Sequence, residues 1–309
     1  MVPPRYKGAY LGTEPDTLPN QRIGPYRTGA FIGGGGFSWV IAAQREADGL
    51  PVALKVLKPK YANDKAFTAR FLNEAEVAGQ LRHPNIIRII DVGQDGQHVY
   101  FAMPRLPRSL ESLLPEGVAL PEAEVARTAR DIARALAFAH GAGVIHRDIK
   151  PQNMVVDPSG FLKVMDFGIA RRTEGHRLGD EGLTAVGTTI GTPEYMAPEQ
   201  LLGEDLDPRA DLYATGAVLF ECVTGRNVFL APNVMALMAK HLEETPEDPK
   251  NLNPEVPTAL SQVILKALAK KRDQRWSSAA ELLHALEGVR LDETTAQTRA
   301  AVAAVTATS

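Results

Sequence analysis

The residues of this sequence best suited to chemistry lie in two short stretches, which read His-Arg-Asp-Ile-Lys-Pro-Gln-Asn and Asp-Phe-Gly. In the first stretch, Asp148 can accept a proton from an attacking hydroxyl, and Lys150 can hold a transferring phosphoryl group. Asn153 and Asp166 offer hard oxygen ligands of the kind that Mg²⁺ prefers. Phosphoryl transfer needs these groups, because its catalysis is mostly positioning and neutralisation of charge.

The spacing of the two stretches predicts that their carboxylates meet. Asp148 and Asp166 lie 18 residues apart, with a strand-like run at 161–165 between them. A hairpin in this interval returns both carboxylates to one cleft. The eight ordered positions 146–153, followed at this distance by Asp-Phe-Gly, resemble the catalytic core of the protein kinases.

The composition of the 309-residue chain fits one large domain or two lobes. Its net charge of −3 indicates no nucleic-acid-binding face, so no nucleic-acid partner is expected. The single cysteine, Cys222, excludes an internal disulfide and is compatible with a reducing compartment. No stretch approaches the ~20 apolar residues that span a bilayer, and residues 1–24 lack the apolar segment of a signal peptide. A cytoplasmic location is therefore expected.

Glycine turns and short apolar runs predict an antiparallel sheet in the first third of the chain. The predicted strands cover residues 26–32, 39–44, 51–57, 86–92 and 99–103. A helix is predicted over 64–81 with Asp64 as its N-cap. Pro104 and Pro107 then interrupt the pattern, and the boundary between two lobes is placed there.

The remainder of the chain is predicted to be mainly helical. The apolar patterns indicate helices over 121–140, 211–223, 258–270 and 277–287, of which the second is apolar nearly all round and should be buried. Residues 171–190 are rich in glycine, threonine and charge and are expected to form a mobile loop. The residues from 244 to 257 include four prolines and are expected to connect two helices.

The predicted fold class is α+β, a bilobal protein-kinase-like fold with an antiparallel N-lobe sheet plus one key helix and a mostly helical C-lobe. The expected domain organisation is an irregular segment 1–24, a catalytic domain 25–288 (N-lobe 25–103, hinge 104–107, C-lobe 108–288) and a disordered Ala/Thr-rich tail 289–309.

A glycine-rich segment at 33–40 lies between two predicted strands. Glycines there let backbone N–H groups approach phosphates, although a glycine-rich hairpin is more often only a turn. The segment is similar to the kinase pattern G-x-G-x-x-G-x-V, with Ser38 at the third glycine position. The resemblance implies ATP contacts from the residues Ile32, Gly33, Gly34, Gly35, Gly36, Phe37, Ser38 and Val40.

Lys55 and Glu74 are predicted to pair. Lys55 shares a strand face with apolar neighbours. The alternative is a lysine at the sheet margin, with its aliphatic chain buried and its ammonium in water. Glu74 falls within an apolar stripe of its helix, where a carboxylate needs a partner. By resemblance they are the strand lysine and helix glutamate of a kinase, with Lys55 on the α- and β-phosphates.

The resemblance also implies an adenine pocket. Val40 and Ala53 are expected above the base and Val155 below it, with Met103 at the back as the gatekeeper. The Pro104 carbonyl and the Leu106 N–H are expected to bind the adenine edge.

Around the catalytic aspartate, the resemblance implies supporting roles. His146 is expected to pack against Phe167 next to Gly168, and Arg147 to pair with a phosphate on the activation loop. Thr192, in Gly-Thr-Pro-Glu-Tyr-Met-Ala-Pro-Glu, is expected to contact the catalytic aspartate together with Lys150. The candidate phosphorylation sites are Thr184, Thr188, Thr189 and, less favoured, Thr173; a loop that is simply rich in threonine is the alternative.

Two remote interactions complete the resemblance. Asp211 opens the buried helix, where an ionised carboxylate needs donors, and is expected to accept hydrogen bonds from the catalytic-loop backbone. Glu199 and Arg275 match an ion pair under the activation segment; an ordinary surface stack of Arg275 on Trp276 is the alternative.

The sequence is identified as similar to the bacterial branch of serine/threonine protein kinases. This implies transfer of the γ-phosphoryl group of ATP to protein serine or threonine, including the chain's own activation loop, with Mg²⁺ or alternatively Mn²⁺. The implied partners are protein substrates, a second copy through the N-lobe, and proteins that bind phosphothreonine. A nucleotide-binding pseudokinase scaffold and a small-molecule phosphotransferase are the alternatives. The chain is either complete or the cytoplasmic domain of a longer membrane protein.

Overall fold

The structure is a computed structural model, and it describes residues 18, 20–167 and 193–289. Its first lobe is a six-stranded sheet in the order β1-β2-β3-β4-β6-β5, in which every neighbouring pair is antiparallel. The strands are β1 Arg22–Ile23, β2 Tyr26–Gly34, β3 Ser38–Arg45, β4 Pro51–Leu57, β5 Asp91–Asp95 and β6 His98–Pro104. The predicted antiparallel sheet is confirmed.

Two helices connect β4 to the rest of the first lobe. They are the short α1, Pro59–Ala62, and the longer α2, Lys65–Gln80. The predicted N-cap of α2 is confirmed, because the Asp64 carboxylate accepts hydrogen bonds from the backbone N–H groups of Ala66 and Phe67. The face of α2 that is buried carries Phe71, Glu74, Ala75 and Ala78.

One predicted strand is wrong. The sequence predicted 86–92, whereas β5 begins at Asp91, and the apolar residues before it leave the first sheet. Ile87 donates its backbone N–H to the Val164 carbonyl, and Val164 donates to the Asn85 carbonyl. The start of the apolar run is therefore hydrogen-bonded to the second lobe, an alternative that a short apolar run does not distinguish from a strand of the first sheet.

The second lobe is mainly helical. Its helices are α3 Glu122–Gly141, α4 Pro198–Leu201, α5 Arg209–Thr224, α6 Val234–Glu243, α7 Pro249–Leu252, α8 Thr258–Ala267 and α9 Ala279–Gly288. A small three-stranded sheet consists of β7 Arg108–Ser109, β8 Met154–Val156 and β9 Leu162–Val164, in that order. The hairpin predicted between the two aspartates is therefore confirmed as β8–β9.

Helix α5 forms the centre of this lobe. All its residues from Ala210 to Val223 are buried, including the thiol of Cys222. Gly225 ends the helix with φ +73°, and a Cβ there would lie 2.5 Å from the backbone nitrogen of Val118. Glycine is thus required both for the left-handed turn and for the close approach. Among the described residues, no helix is both long and apolar enough to cross a bilayer.

Candidate active site

Lys55 lies at the centre of the cleft between the lobes. Its strand, β4, is paired on both sides, with Lys55 opposite Val40 on β3 and Phe101 on β6. The Lys55 ammonium lies 2.7 Å from Oε1 of Glu74 and 3.0 Å from Oδ1 of Asp166. Because the Lys55 side chain is only 9% exposed, its head is not in water. The interpretation as a lysine reaching solvent is therefore wrong.

The charges of this triangle stabilise one another. Burial opposes the charged form of Lys55, but the carboxylates of Asp166 and Glu74 outweigh it and raise the lysine pKa. Burial raises the pKa of Glu74, and the adjacent Lys55 ammonium opposes that shift. The ammonium is thus fixed between two elements, helix α2 and the segment after β9, where it can meet anionic phosphates.

The catalytic-loop residues converge on one carboxylate. Oδ2 of Asp148 lies 2.9 Å from Nζ of Lys150 and accepts a 3.0 Å hydrogen bond from Nδ2 of Asn153. Asn153 Nδ2 also donates to the Asp148 backbone carbonyl at 2.8 Å. These two donors favour the ionised carboxylate, which is the form that accepts a proton.

The donor set of the site fits a hard divalent cation. The Asn153 amide nitrogen is committed to Asp148, which leaves the carbonyl oxygen Oδ1 as its ligand atom. Asp166 uses Oδ1 for Lys55 and has Oδ2 as a second oxygen. The backbone N–H of Met165 donates to the Asn153 backbone carbonyl at 2.9 Å, so the two candidate ligands belong to adjoining segments.

Left-handed backbone marks both motif segments. Arg147 has φ +68° and Asp166 has φ +60°, values that residues other than glycine rarely adopt. Asp211 holds the first of them: its carboxylate accepts the N–H groups of His146 at 2.8 Å and Arg147 at 2.7 Å. The role predicted for Asp211 is thus matched by its contacts.

His146 links the two motifs. It is fully buried, its Nδ1 accepts the backbone N–H of Asp148 at 3.2 Å, and its Nε2 lies 2.9 Å from the Met165 carbonyl. These contacts fit a ring that accepts a hydrogen bond at Nδ1 and donates one from Nε2. The ring centroid of His146 lies 4.7 Å from that of Phe167, as predicted.

The apolar residues predicted to line the adenine pocket form one cluster. Buried Ala53 and Met103 face each other across β4 and β6, and partly buried residues pack against the same cluster, namely Val40, Leu106 and Val155. Pro104 is the last residue of β6, so the sheet extends one residue beyond the predicted N-lobe boundary.

The glycine-rich loop joins β2 to β3. Its backbone closes with a 3.0 Å hydrogen bond from the Gly35 N–H to the Ser38 carbonyl, and Ser38 is buried opposite Leu57. Among the described residues, no atom lies within 4 Å of a Cβ built on Gly33, Gly35 or Gly36. Ile32 and Phe37 at the loop are about half exposed. The loop thus has open space beside three of its glycines.

Glu199 and Arg275 form a bidentate buried pair. Their two N–O distances are 2.6 and 2.8 Å, and the Arg275 side chain has no solvent exposure. Arg275 also donates to the backbone carbonyls of three residues, Arg209, Ala269 and Lys270. A surface stack on Trp276 is therefore wrong; the ring of Trp276 instead lies 3.7 Å from the Lys266 ammonium.

Three supporting residues were not predicted. His140 Nε2 lies 2.8 Å from Oδ2 of Asp211, and Gln200 Nε2 donates to the Arg147 carbonyl at 2.9 Å. The Tyr195 hydroxyl donates to Oε2 of buried Glu221 at 2.5 Å. The polarity of Glu221 within an apolar helix was the one available indication. The predicted residues Gly168, Thr173, Thr184, Thr188, Thr189 and Thr192 lie outside the described residues.

A bilobal fold with these clustered ionisable groups defines a phosphoryl-transfer domain, and comparison with known proteins gives its family. Residues 26–286 match the Protein kinase domain family. The chain belongs to this family.

Its relatives are serine/threonine kinases. The chain is 40% identical over 271 residues to serine/threonine-protein kinase PknD of Mycobacterium tuberculosis, covering 86% of this chain and 40% of that one. It is 40% identical over 275 residues to serine/threonine-protein kinase pkn3 of Myxococcus xanthus, covering 85% and 50% respectively. The chain thus spans about two fifths to half the length of these relatives. The domain is that of a protein kinase.

Solved structures agree with this class. The crystal structure of the Mycobacterium tuberculosis PknI kinase domain has a TM-score of 0.63 and 27% identity, covering 87% of this chain and 97% of that one. The crystal structure of a point mutant of the same domain has a TM-score of 0.65. The predicted bilobal kinase fold is confirmed. Family membership implies ATP, a divalent metal ion and protein substrates.

Proposed function

We propose that this chain transfers the γ-phosphoryl group of ATP to serine or threonine hydroxyls of proteins, including its own activation segment. The observation that carries the proposal is the Asp148 carboxylate, held by Lys150 and Asn153 beside the Lys55–Glu74–Asp166 triangle. A pseudokinase scaffold lacks support, because Lys55, Asp148 and Asp166 are all present, with Lys55 paired to Asp166 and Lys150 paired to Asp148.

The proposed reaction assigns one task to each group. Asp148 accepts the proton of the substrate hydroxyl while that oxygen bonds to the γ-phosphorus. The bond from the γ-phosphorus to its bridging oxygen breaks, and ADP leaves. Lys150 stabilises the charge on the transferring group, and Lys55 orients the α- and β-phosphates. Asn153 and Asp166 are proposed to hold Mg²⁺, with Mn²⁺ as a substitute, which neutralises phosphate charge when bound.

The remaining proposed contacts of the nucleotide are with residues that line the cleft. The apolar cluster of Ala53, Met103 and their neighbours is proposed to take the adenine ring, with hydrogen bonds to the Pro104 carbonyl and the Leu106 N–H. The open glycine-rich loop is proposed to cover the phosphates.

Activation-loop control is part of the proposal. Arg147 is proposed to pair with a phosphate on Thr184, Thr188 or Thr189, with Thr173 less favoured, and Thr192 is proposed to contact Asp148. Alanine at Thr184, Thr188 and Thr189 together should lower activity. A triple variant with unchanged activity would contradict control through Arg147.

The experiment that tests the function is intact mass spectrometry after incubation with Mg²⁺ and ATP, beside an Asp148→Asn control. Wild-type protein should gain ~80 Da per phosphate, and the variant should bind ATP without any gain. If neither protein gains mass or phosphorylates a generic protein substrate, the transfer function is refuted.

Domain boundaries and assembly stay predictions. The catalytic domain is proposed to span 25–288, with a homodimer through the N-lobe and partners that bind phosphothreonine. Its proposed location is the cytoplasm, either as a separate protein or as the cytoplasmic domain of a longer membrane protein. The lengths of the relatives favour further sequence beyond this domain. Analytical ultracentrifugation of the unphosphorylated and phosphorylated protein tests the dimer.

A further inference from the structure

Three aromatic rings join the glycine-rich loop to the helices beside it. The ring centroid of Phe37, on the loop, lies 5.2 Å from that of Tyr61 on α1 and 5.1 Å from that of Phe67 on α2. The centroids of Tyr61 and Phe67 are 4.6 Å apart. These separations are those of favourable aromatic pairs. We call Phe37, Tyr61 and Phe67 the loop anchor.

The backbone of the loop is hydrogen-bonded to the residue that precedes α1. Nζ of Lys58 donates to the Gly35 carbonyl at 2.7 Å, and the Lys58 backbone N–H donates to the Phe37 carbonyl at 2.9 Å. Helix α1 begins at the next residue and carries Tyr61. The loop is therefore held by side chains and backbone of one short segment, although Phe37 itself is half exposed.

The loop anchor also acts on the helix that carries Glu74. Phe67 precedes Glu74 on α2 by seven residues, which is two helical turns, so both lie on the same face of the helix. At one end of this face the ring of Phe67 meets the loop, and further along Glu74 meets Lys55 at 2.7 Å. A shift of α2 away from the cleft would separate both contacts.

We propose that Tyr61 and Phe67 are positioning residues for phosphoryl transfer, which act through Phe37. They hold the glycine-rich loop over the triphosphate of ATP and hold α2 where Glu74 reaches Lys55. The inference rests on the proposed function for the identity of the nucleotide. Neither residue belongs to the kinase motifs of the sequence, and neither needs to touch ATP.

The test is a double-mutant cycle on Phe37→Ala and Tyr61→Ala, read as the Kd for a non-hydrolysable ATP analogue and as kcat and KM. Tyr61→Ala should raise the Kd and the KM for ATP roughly two- to tenfold, the range of one aromatic pair. The KM for a protein substrate should stay unchanged. In the Phe37→Ala background, Tyr61→Ala should add less than about a twofold effect, because the two residues act in series.

Two control variants separate positioning from folding. Tyr61→Phe keeps the ring and should retain wild-type values. Phe161→Ala truncates an aromatic that is as exposed as Phe37 but far from the loop in sequence, and it should leave ATP binding unchanged. If Tyr61→Ala leaves the Kd unchanged, or if the two single effects multiply in the double variant, the proposal is overturned. If wild-type protein binds the analogue without transferring phosphate, the proposed function fails while the binding cycle still decides the role of Tyr61.

Discussion

The backbone N–H of Arg147 donates a 2.7 Å hydrogen bond to Oδ1 of Asp211 while Arg147 is in the left-handed region at φ +68°. A buried carboxylate on the central helix thus maintains an unfavourable backbone conformation one residue before Asp148. Such strain persists only where surrounding contacts over-determine it. The position of the Asp148 carboxylate, the proposed proton acceptor, therefore depends on a residue outside the cleft.

Asp211→Asn should lower kcat while leaving ATP binding nearly intact. Asparagine keeps one acceptor and directs an NH₂ group at a backbone N–H, and a buried unsatisfied donor costs about 1–3 kcal/mol. If that energy is lost from the positioning of Asp148, kcat falls roughly tenfold to a hundredfold. Steady-state kinetics beside the exposed Asp205→Asn measure this; equal kcat values for the two variants would contradict it.

Lys55→Met should weaken ATP binding and destabilise the N-lobe. It leaves two carboxylates in a buried site, and breaking a buried ion pair costs roughly 3–5 kcal/mol. The double variant Lys55→Met with Glu74→Gln removes one stranded charge and should recover part of that loss. Urea unfolding of the two single variants and the double variant measures this coupling. If the double variant loses as much free energy of unfolding as the two single variants together, Lys55 and Glu74 are not coupled.

Arg275→Met should destabilise the C-lobe far more than Arg272→Met. Arg275 is fully buried with Glu199, so its loss leaves an uncompensated buried carboxylate, at roughly 3–5 kcal/mol. Arg272 pairs with Glu204 at a partly exposed site, where ion pairs contribute about 0–1 kcal/mol. Denaturant midpoints of the two variants measure the difference, and similar midpoints would show that the buried pair contributes little.

His241 should make the protein sensitive to acid. Burial and, to a lesser extent, repulsion from the Lys270 ammonium together lower the pKa of this histidine to about 3. The unfolded state therefore binds the proton first, so this stability is complete above about pH 6.5 and is lost as the pH falls toward 3.

Each pH unit within that window removes at most about 1.4 kcal/mol for one histidine. The free energy of unfolding should fall less steeply between pH 6.5 and 5 in His241→Gln than in wild type, while the exposed His284→Gln keeps the wild-type slope. Parallel slopes in all three proteins would contradict the assignment.

The site residues that could be predicted well from the sequence are polar or charged residues that lie within apolar segments. Lys55, Glu74 and Asp211 are polar residues in apolar runs, and each needs a partner that the structure supplies. His140 escaped prediction because it lies near the end of an amphipathic helix, where a histidine is ordinary. The loop anchor was not predicted because its aromatic contacts depend on how α1 and α2 pack against the glycine-rich loop, which periodicity does not specify.

The strand predicted at 86–92 is wrong for a similar reason, because the sequence does not specify which element a buried segment packs against. A short apolar run indicates that a segment is buried, but it does not identify the hydrogen-bond partner of its backbone. Here the partner is β9 in the other lobe, because Asn85 and Ile87 exchange backbone hydrogen bonds with Val164. No local feature of the sequence indicates that β9 is the partner.

That exchange connects helix α2 to both lobes. The segment that follows its C-terminus is bound to β9 by the Asn85 and Ile87 backbones and by the Asn85 side chain on the Leu162 carbonyl. Its N-terminal half contacts the glycine-rich loop through Phe67. Helix α2 is thus tethered to the second lobe at its C-terminal end and to the glycine-rich loop near its N-terminal end, so we expect the Glu74–Lys55 contact to respond to the angle between the lobes.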